Sequence, residues 1–117
     1  MAIPQRNHCL CIPHNEAAIE ELDRGLENEE NTTFIMLSDV ENDSLFWVYE
    51  EINHALDVII DECEEEYICA DAAPKALAIV KKWLGSSENA MQIQALKKLE
   101  RALEHAIEYG TYLELSL

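Results

Sequence analysis

The chain has 117 residues, 49% of them hydrophobic, and carries 24 acidic against 8 basic side chains for a formal net charge of −16 at pH 7. That length and apolar content suit one domain with its own core and exclude a disordered acidic tail, which would be poor in aromatic and branched apolar residues. The charge repels nucleic acid and anionic lipid and favours a cationic partner, the more so because Met1 to Pro74 holds 19 acidic and 2 basic side chains, whereas Lys75 to Leu117 holds 5 and 6.

The N-terminal residues contain no long apolar run, and no stretch approaches the roughly 18 apolar residues that cross a bilayer. A cytoplasmic protein is therefore expected, with no membrane partner and with its four cysteines reduced. Cys9 to Ile12 is a candidate third strand before Pro13. Asn15 is placed to cap a helix over Glu16 to Leu26 that turns Ile19, Leu22 and Leu26 inward. Thr32 to Leu37 is a compact β-favouring run, read as the central strand, covered on both faces.

The longest signal is a helix from about Asp43 to Glu66. At about 100° per residue, Leu45, Val48, Ile52, Leu56, Ile59 and Cys63 share one side, widened by Ala55, Ile60 and Tyr67. Glu50, His54, Asp57, Asp61 and Glu64 share the other. Pro74 then opens a helix to Trp83 or Leu84, with Leu77, Val80 and Leu84 inward and Lys75, Lys81 and Lys82 outward. Ser86 or Ser87 is expected to cap a last helix whose buried stripe is Ile93, Leu96, Leu99, Leu103, Ala106 and Ile107, and Gly110 to stop it. Thr111 to Leu117 alternates with period two and reads as a strand with Leu113, Leu115 and Leu117 on the core side. The expected fold is α+β in a single domain over residues 1–117, predominantly helical, with about four helices and a small two- or three-stranded sheet.

Catalytic signals are weak. His8, Cys9, Cys11 and His14 crowd four metal-binding side chains into seven residues, too tight for the separated ligand dyads of a structural zinc site. Strand alternation instead sets Cys9 and Cys11 on one face as small buried hydrophobes, so no metal and no cofactor are expected. Cys63 sits among Glu62, Glu64, Glu65 and Glu66, which oppose thiolate formation. His54 and His105 have acidic neighbours in sequence but no pocket to exclude water. Asp61 to Glu66 lacks the alternating acids and turn glycine of a calcium loop, and Gly25, Gly85 and Gly110 are too scattered to cradle a phosphate. The chain is not expected to be an enzyme.

The acidic face of the long helix carries the functional expectation. A charge of −16 exceeds the magnitude of about 2 to 8 that keeps a small domain soluble, and it costs stability by self-repulsion. Glu50, Asp57, Asp61, Glu64, Glu65 and Glu66 are accordingly read as partner-binding, with Tyr49, Tyr67 and Trp47 as aromatic anchors, since a few buried side chains supply most interface energy.

In overall layout, and in the run Ala102-Leu103-Glu104-His105-Ala106-Ile107-Glu108-Tyr109-Gly110-Thr111-Tyr112-Leu113-Glu114-Leu115, where a last helix leads into a strand, the chain resembles the immunity proteins of bacterial contact-dependent inhibition and related polymorphic toxin systems. The resemblance implies a protein that binds and neutralises one cognate basic toxin domain, commonly a nuclease, by covering its substrate site or an exosite. A DNA-mimicking anti-restriction protein is the alternative, and a small metal-dependent enzyme a third.

Overall fold

The computed structural model describes residues 8–26, 30–56 and 65–117. In chain order the elements are β1 (Cys9–Pro13), α1 (Glu16–Asp23), β2 (Thr32–Met36), α2 (Asp39–Ser44), α3 (Phe46–Leu56), β3 (Glu65–Cys69), α4 (Ala73–Ser86), α5 (Ala90–Tyr109) and β4 (Tyr112–Ser116). The fold is α+β. Among the described residues there are five helices and four strands, one of each beyond the expectation.

All strand pairs are antiparallel, in the order β2-β1-β4-β3. The centre belongs to β1 and β4, and β2, expected as the central strand, lies at an edge. The reason is in β1, which is apolar on both faces and buried throughout. Leu10 and Ile12 face the main core with Leu113 and Leu115 of β4, while Cys9 and Cys11 face the other way. On β2 only Thr32 and Ile35 are buried, and Met36 is exposed.

The main core lies between one face of the sheet and the helices α3, α4 and α5. It unites Leu10, Ile12 and Ile35 with Val48, Ile52, Val80, Leu96, Leu99 and Leu103. On the opposite face α1 packs on β1, and its buried Ala18 and Leu22, with Cys9 and Cys11, stand apart from that cluster. The result is a three-layer sandwich of one short helix, a sheet and a helical layer.

Local signals fixed most helix ends. Asn15 caps α1 by accepting from the Ala18 N–H at 2.9 Å, but the helix stops at Asp23, leaving Leu26 exposed outside it. Helix α4 runs through Gly85 to Ser86, and the cap of α5 is Asn89, which accepts from the Gln92 N–H at 2.9 Å, rather than either serine. Ser87 is occupied instead with the Gln92 side chain, at 2.5 Å. Gly110 ends α5 at φ 67°, a conformation that strains any other residue. Ile107, expected in the buried stripe, is exposed at the end of that helix. Among the described residues no helix is long and apolar enough to cross a membrane.

The helix expected from Asp43 to Glu66 is the largest difference. Ser38 and Glu41 form a capping box that starts a helix at Asp39, earlier than expected, and this helix ends at Leu45 before α3 begins at Phe46. At the other end, Glu65, Glu66 and Tyr67 belong to a strand, β3, paired with β4. Ile68 supplies the reason: its burial between Leu113 and the helical layer needs a strand, whose period of two leaves Tyr67 and Cys69 exposed.

Candidate partner-binding face

A polar network sets the rotation of α2 and α3. The Glu41 carboxylate, only 3% exposed, accepts from the Ser38 N–H at 2.8 Å, from Lys98 Nζ at 2.9 Å and from Gln94 Nε2 at 3.0 Å. Burial opposes its charge, but the Ser38 hydrogen bond, then those of Lys98 and Gln94, outweigh it and hold the carboxyl below its ordinary value. Lys98 also donates to the Met36 carbonyl at 2.9 Å, and Gln92 to the Ser44 carbonyl at 3.0 Å. One face of α5 thus grips the end of β2 and both ends of α2.

Helix α3 is held from its other side. Leu45, Val48 and Ile52 enter the core as expected. Lys82 pairs with Glu51, and Trp83 Nε1 donates to Glu51 at 3.1 Å. The hydrogen bond from Lys82, against some burial and with help from Trp83, keeps the Glu51 carboxyl below its usual range. Tyr49, expected at the surface as an anchor, is 6% exposed: its ring joins the core and its hydroxyl donates to Asn42 Oδ1 at 3.0 Å. Burial raises its pKa. It lies one residue after Val48, and the inward arc of α3 is wide enough to include it.

What remains outward is distinctive. Val40 (59%), Phe46 (55%) and Trp47 (67%) are large apolar side chains more than half exposed, and the Phe46 and Trp47 rings meet edge to face at a centroid distance of 5.0 Å. Asp39, Asp43, Glu50 and His54 on the same two helices are exposed as well. Glu50 is three residues beyond Trp47 and four beyond Phe46, so all three share one face of α3. Val40 and Phe46 escaped the sequence reading because a helix drawn from Asp43 to Glu66 excluded the first and had no means of ranking the second.

Of the other expected site residues, Glu65, Glu66 and Tyr67 belong to β3 rather than to α2 or α3. Tyr67 lies on the sheet surface opposite the helical layer, where it meets Tyr112 edge to face at 5.1 Å. Glu66 is half-buried on β3 and accepts from the Tyr67 N–H at 3.0 Å; Glu65 opens the same strand, opposite Ser116. Asp57, Asp61 and Glu64 lie outside the described residues, as do Ile59, Ile60 and Cys63.

Nor do the four side chains of the His8 to His14 segment converge. Cys9 and Cys11 are buried with sulfurs 3.5 Å apart, while His8 Nε2 meets Asp39 Oδ1 at 2.7 Å and His14 Nε2 meets Thr33 Oγ1 at 2.7 Å. His14 stacks on Tyr109 at 4.2 Å, with His105 edge-on to the same ring at 5.9 Å. Burial and the nearby His105 lower the His14 pKa, with Glu108 opposing them. Among the described residues no three histidine, cysteine or acidic side chains are arranged to hold a metal ion. No protein-family model, curated protein or solved structure matches the chain.

Proposed function

We propose that this chain is a non-catalytic inhibitor that binds and neutralises one cognate basic toxin domain, a nuclease being the favoured class, in the manner of an immunity protein acting in the cytoplasm of the bacterium that makes the toxin. The observation that carries the reading is the α2–α3 pair, whose exposed carboxylates and exposed aromatic rings share helices anchored in the core and to α4 and α5. The carboxylates steer a cationic surface inward, and the rings slow its release. Lys82 and Lys98 are engaged by Glu51 and Glu41, while Asp43 and Glu50 are exposed to a partner. A nuclease presents lysine and arginine to the phosphate backbone, so carboxylates held at that surface compete with substrate. Asp57, Asp61, Glu64, Glu65 and Glu66 extend the acidic supply in sequence and belong to the same proposal.

The test is inhibition across a panel of unrelated basic nuclease domains, with a low-salt capture from a relative of the source strain to find the cognate one. Inhibition of one member, with association slowed by salt and by E50K, is the expected result. Broad inhibition would favour nucleic-acid mimicry, and capture of no basic protein would reject the reading.

A further inference from the structure

We propose that Trp47 and Glu50 form a receptor for an arginine side chain, and that the partner docks on α3 by an arginine-bearing segment rather than by a lysine-rich one. This rests on the reading above, that the partner is a basic protein, and adds which cation the face selects.

The argument starts from what each group offers. Trp47 is the most exposed of the large apolar side chains on α2 and α3, and the edge contact with Phe46 steadies the indole without covering it. A guanidinium is planar and weakly hydrated, so it stacks on an indole at little desolvation cost, whereas an ammonium holds its water shell. Glu50 stands one turn along the same face, with its carboxylate exposed. A guanidinium lying on the indole can present two N–H donors to that carboxylate, a bidentate contact that an ammonium cannot make. Asp43, exposed at the end of α2, adds negative potential on the approach.

The surroundings discriminate against other occupants. A hydrophobic partner would have to bury Asp43 and Glu50 without compensation. An acidic or phosphorylated segment, like a second copy of this chain at −16, would meet like charge. The support is rigid enough to define geometry: Tyr49, Val48 and Ile52 are locked in the core directly beneath, and Glu51 is clamped by Lys82 and Trp83.

The experiment titrates the full native chain with oligoarginine and oligolysine peptides of equal length by calorimetry. Oligoarginine is expected to bind roughly two- to fivefold more tightly than oligolysine, the ratio that an exposed cation–π contact sustains. W47A and E50Q should each bring the ratio towards unity while charge-driven binding of both peptides persists. E104Q, which removes one carboxylate from the exposed face of α5, should leave the ratio intact. Equal affinities in the native chain, or a preference that survives W47A, would overturn the receptor while leaving the inhibitor reading standing. Failure of both peptides to bind would overturn both.

Discussion

Helix α5 and the α2–α3 pair pack against one another, yet they dispose of their apolar side chains in opposite ways. Over its 20 residues α5 turns Leu96, Leu99 and Leu103 fully inward and closes at Gly110, with its larger exposed apolar groups, Met91, Ile107 and Tyr109, near its two ends. Helices α2 and α3 bury Leu45, Val48, Tyr49 and Ile52 but hold Val40, Phe46 and Trp47 out among carboxylates. Folding accounts for every large apolar residue in the middle of α5 and for only part of those in α2–α3. The residue left over is what a binding surface requires, since contiguous exposed apolar groups lower the stability of the free protein and gain their value in a complex.

The sharpest way to break this contrast is to truncate α5. Leu99→Ala should cost about 3 kcal/mol in urea-induced unfolding, because it opens a cavity at a fully buried position. Binding per folded molecule should not change. A loss of affinity without a loss of stability would mean that α5 takes part in recognition.

The bridge between the two regions comes next in size. Glu41→Gln weakens the capping box and the Lys98 contact together and should cost about 2 kcal/mol, in line with charge-assisted hydrogen bonds in partly dry surroundings. Its pH signature is specific. The folded-state carboxyl is held below its unfolded value, so its stabilising contribution is complete above about pH 4.3 and is lost as pH falls through the folded value. Acid titration of stability should therefore be less steep in the variant than in the parent.

A smaller slope is expected from His14. Its pKa is lowered on folding, so the unfolded chain takes up the proton first and stability declines as pH falls from about 6.5 through the folded value. His14→Gln should remove that slope in pH-dependent thermal unfolding. Smallest of all is the stability effect of Trp47→Ala, within about 0.5 kcal/mol of zero for so exposed a side chain. That variant should nonetheless bind the cognate partner at least tenfold more weakly, which surface plasmon resonance would register as faster dissociation.

The legibility of the fold in the sequence follows the same division. Helix α5, strand β4 and the Asn15 cap were readable because one local pattern, a leucine stripe, a period of two or a capping side chain, governs each. The segment from Ser38 to Cys69 misled because its described residues are shared among three elements, α2, α3 and β3. The capping box at Ser38 and Glu41 was present in the sequence and went unweighed, while the strand at Glu65 is dictated by pairing with β4, a partner nearly fifty residues away. For the candidate site, Glu50 and Trp47 were recognisable as outward-facing on α3. The burial of Tyr49 and the separation of Tyr67 from α3 depend on packing angles and sheet order, which no local pattern encodes.

The sheet order also bears on how the chain comes to be made. Strand β1 is followed directly by α1 and its neighbour β2, but its other neighbour, β4, is separated from it by all of the helical layer. Until that neighbour is synthesised, a segment apolar on both sides is left with an open flank, attractive to any other nascent edge. Such long-range closure folds slowly, so the open flank of residues 9–13 is where a chaperone should engage the unfinished fold.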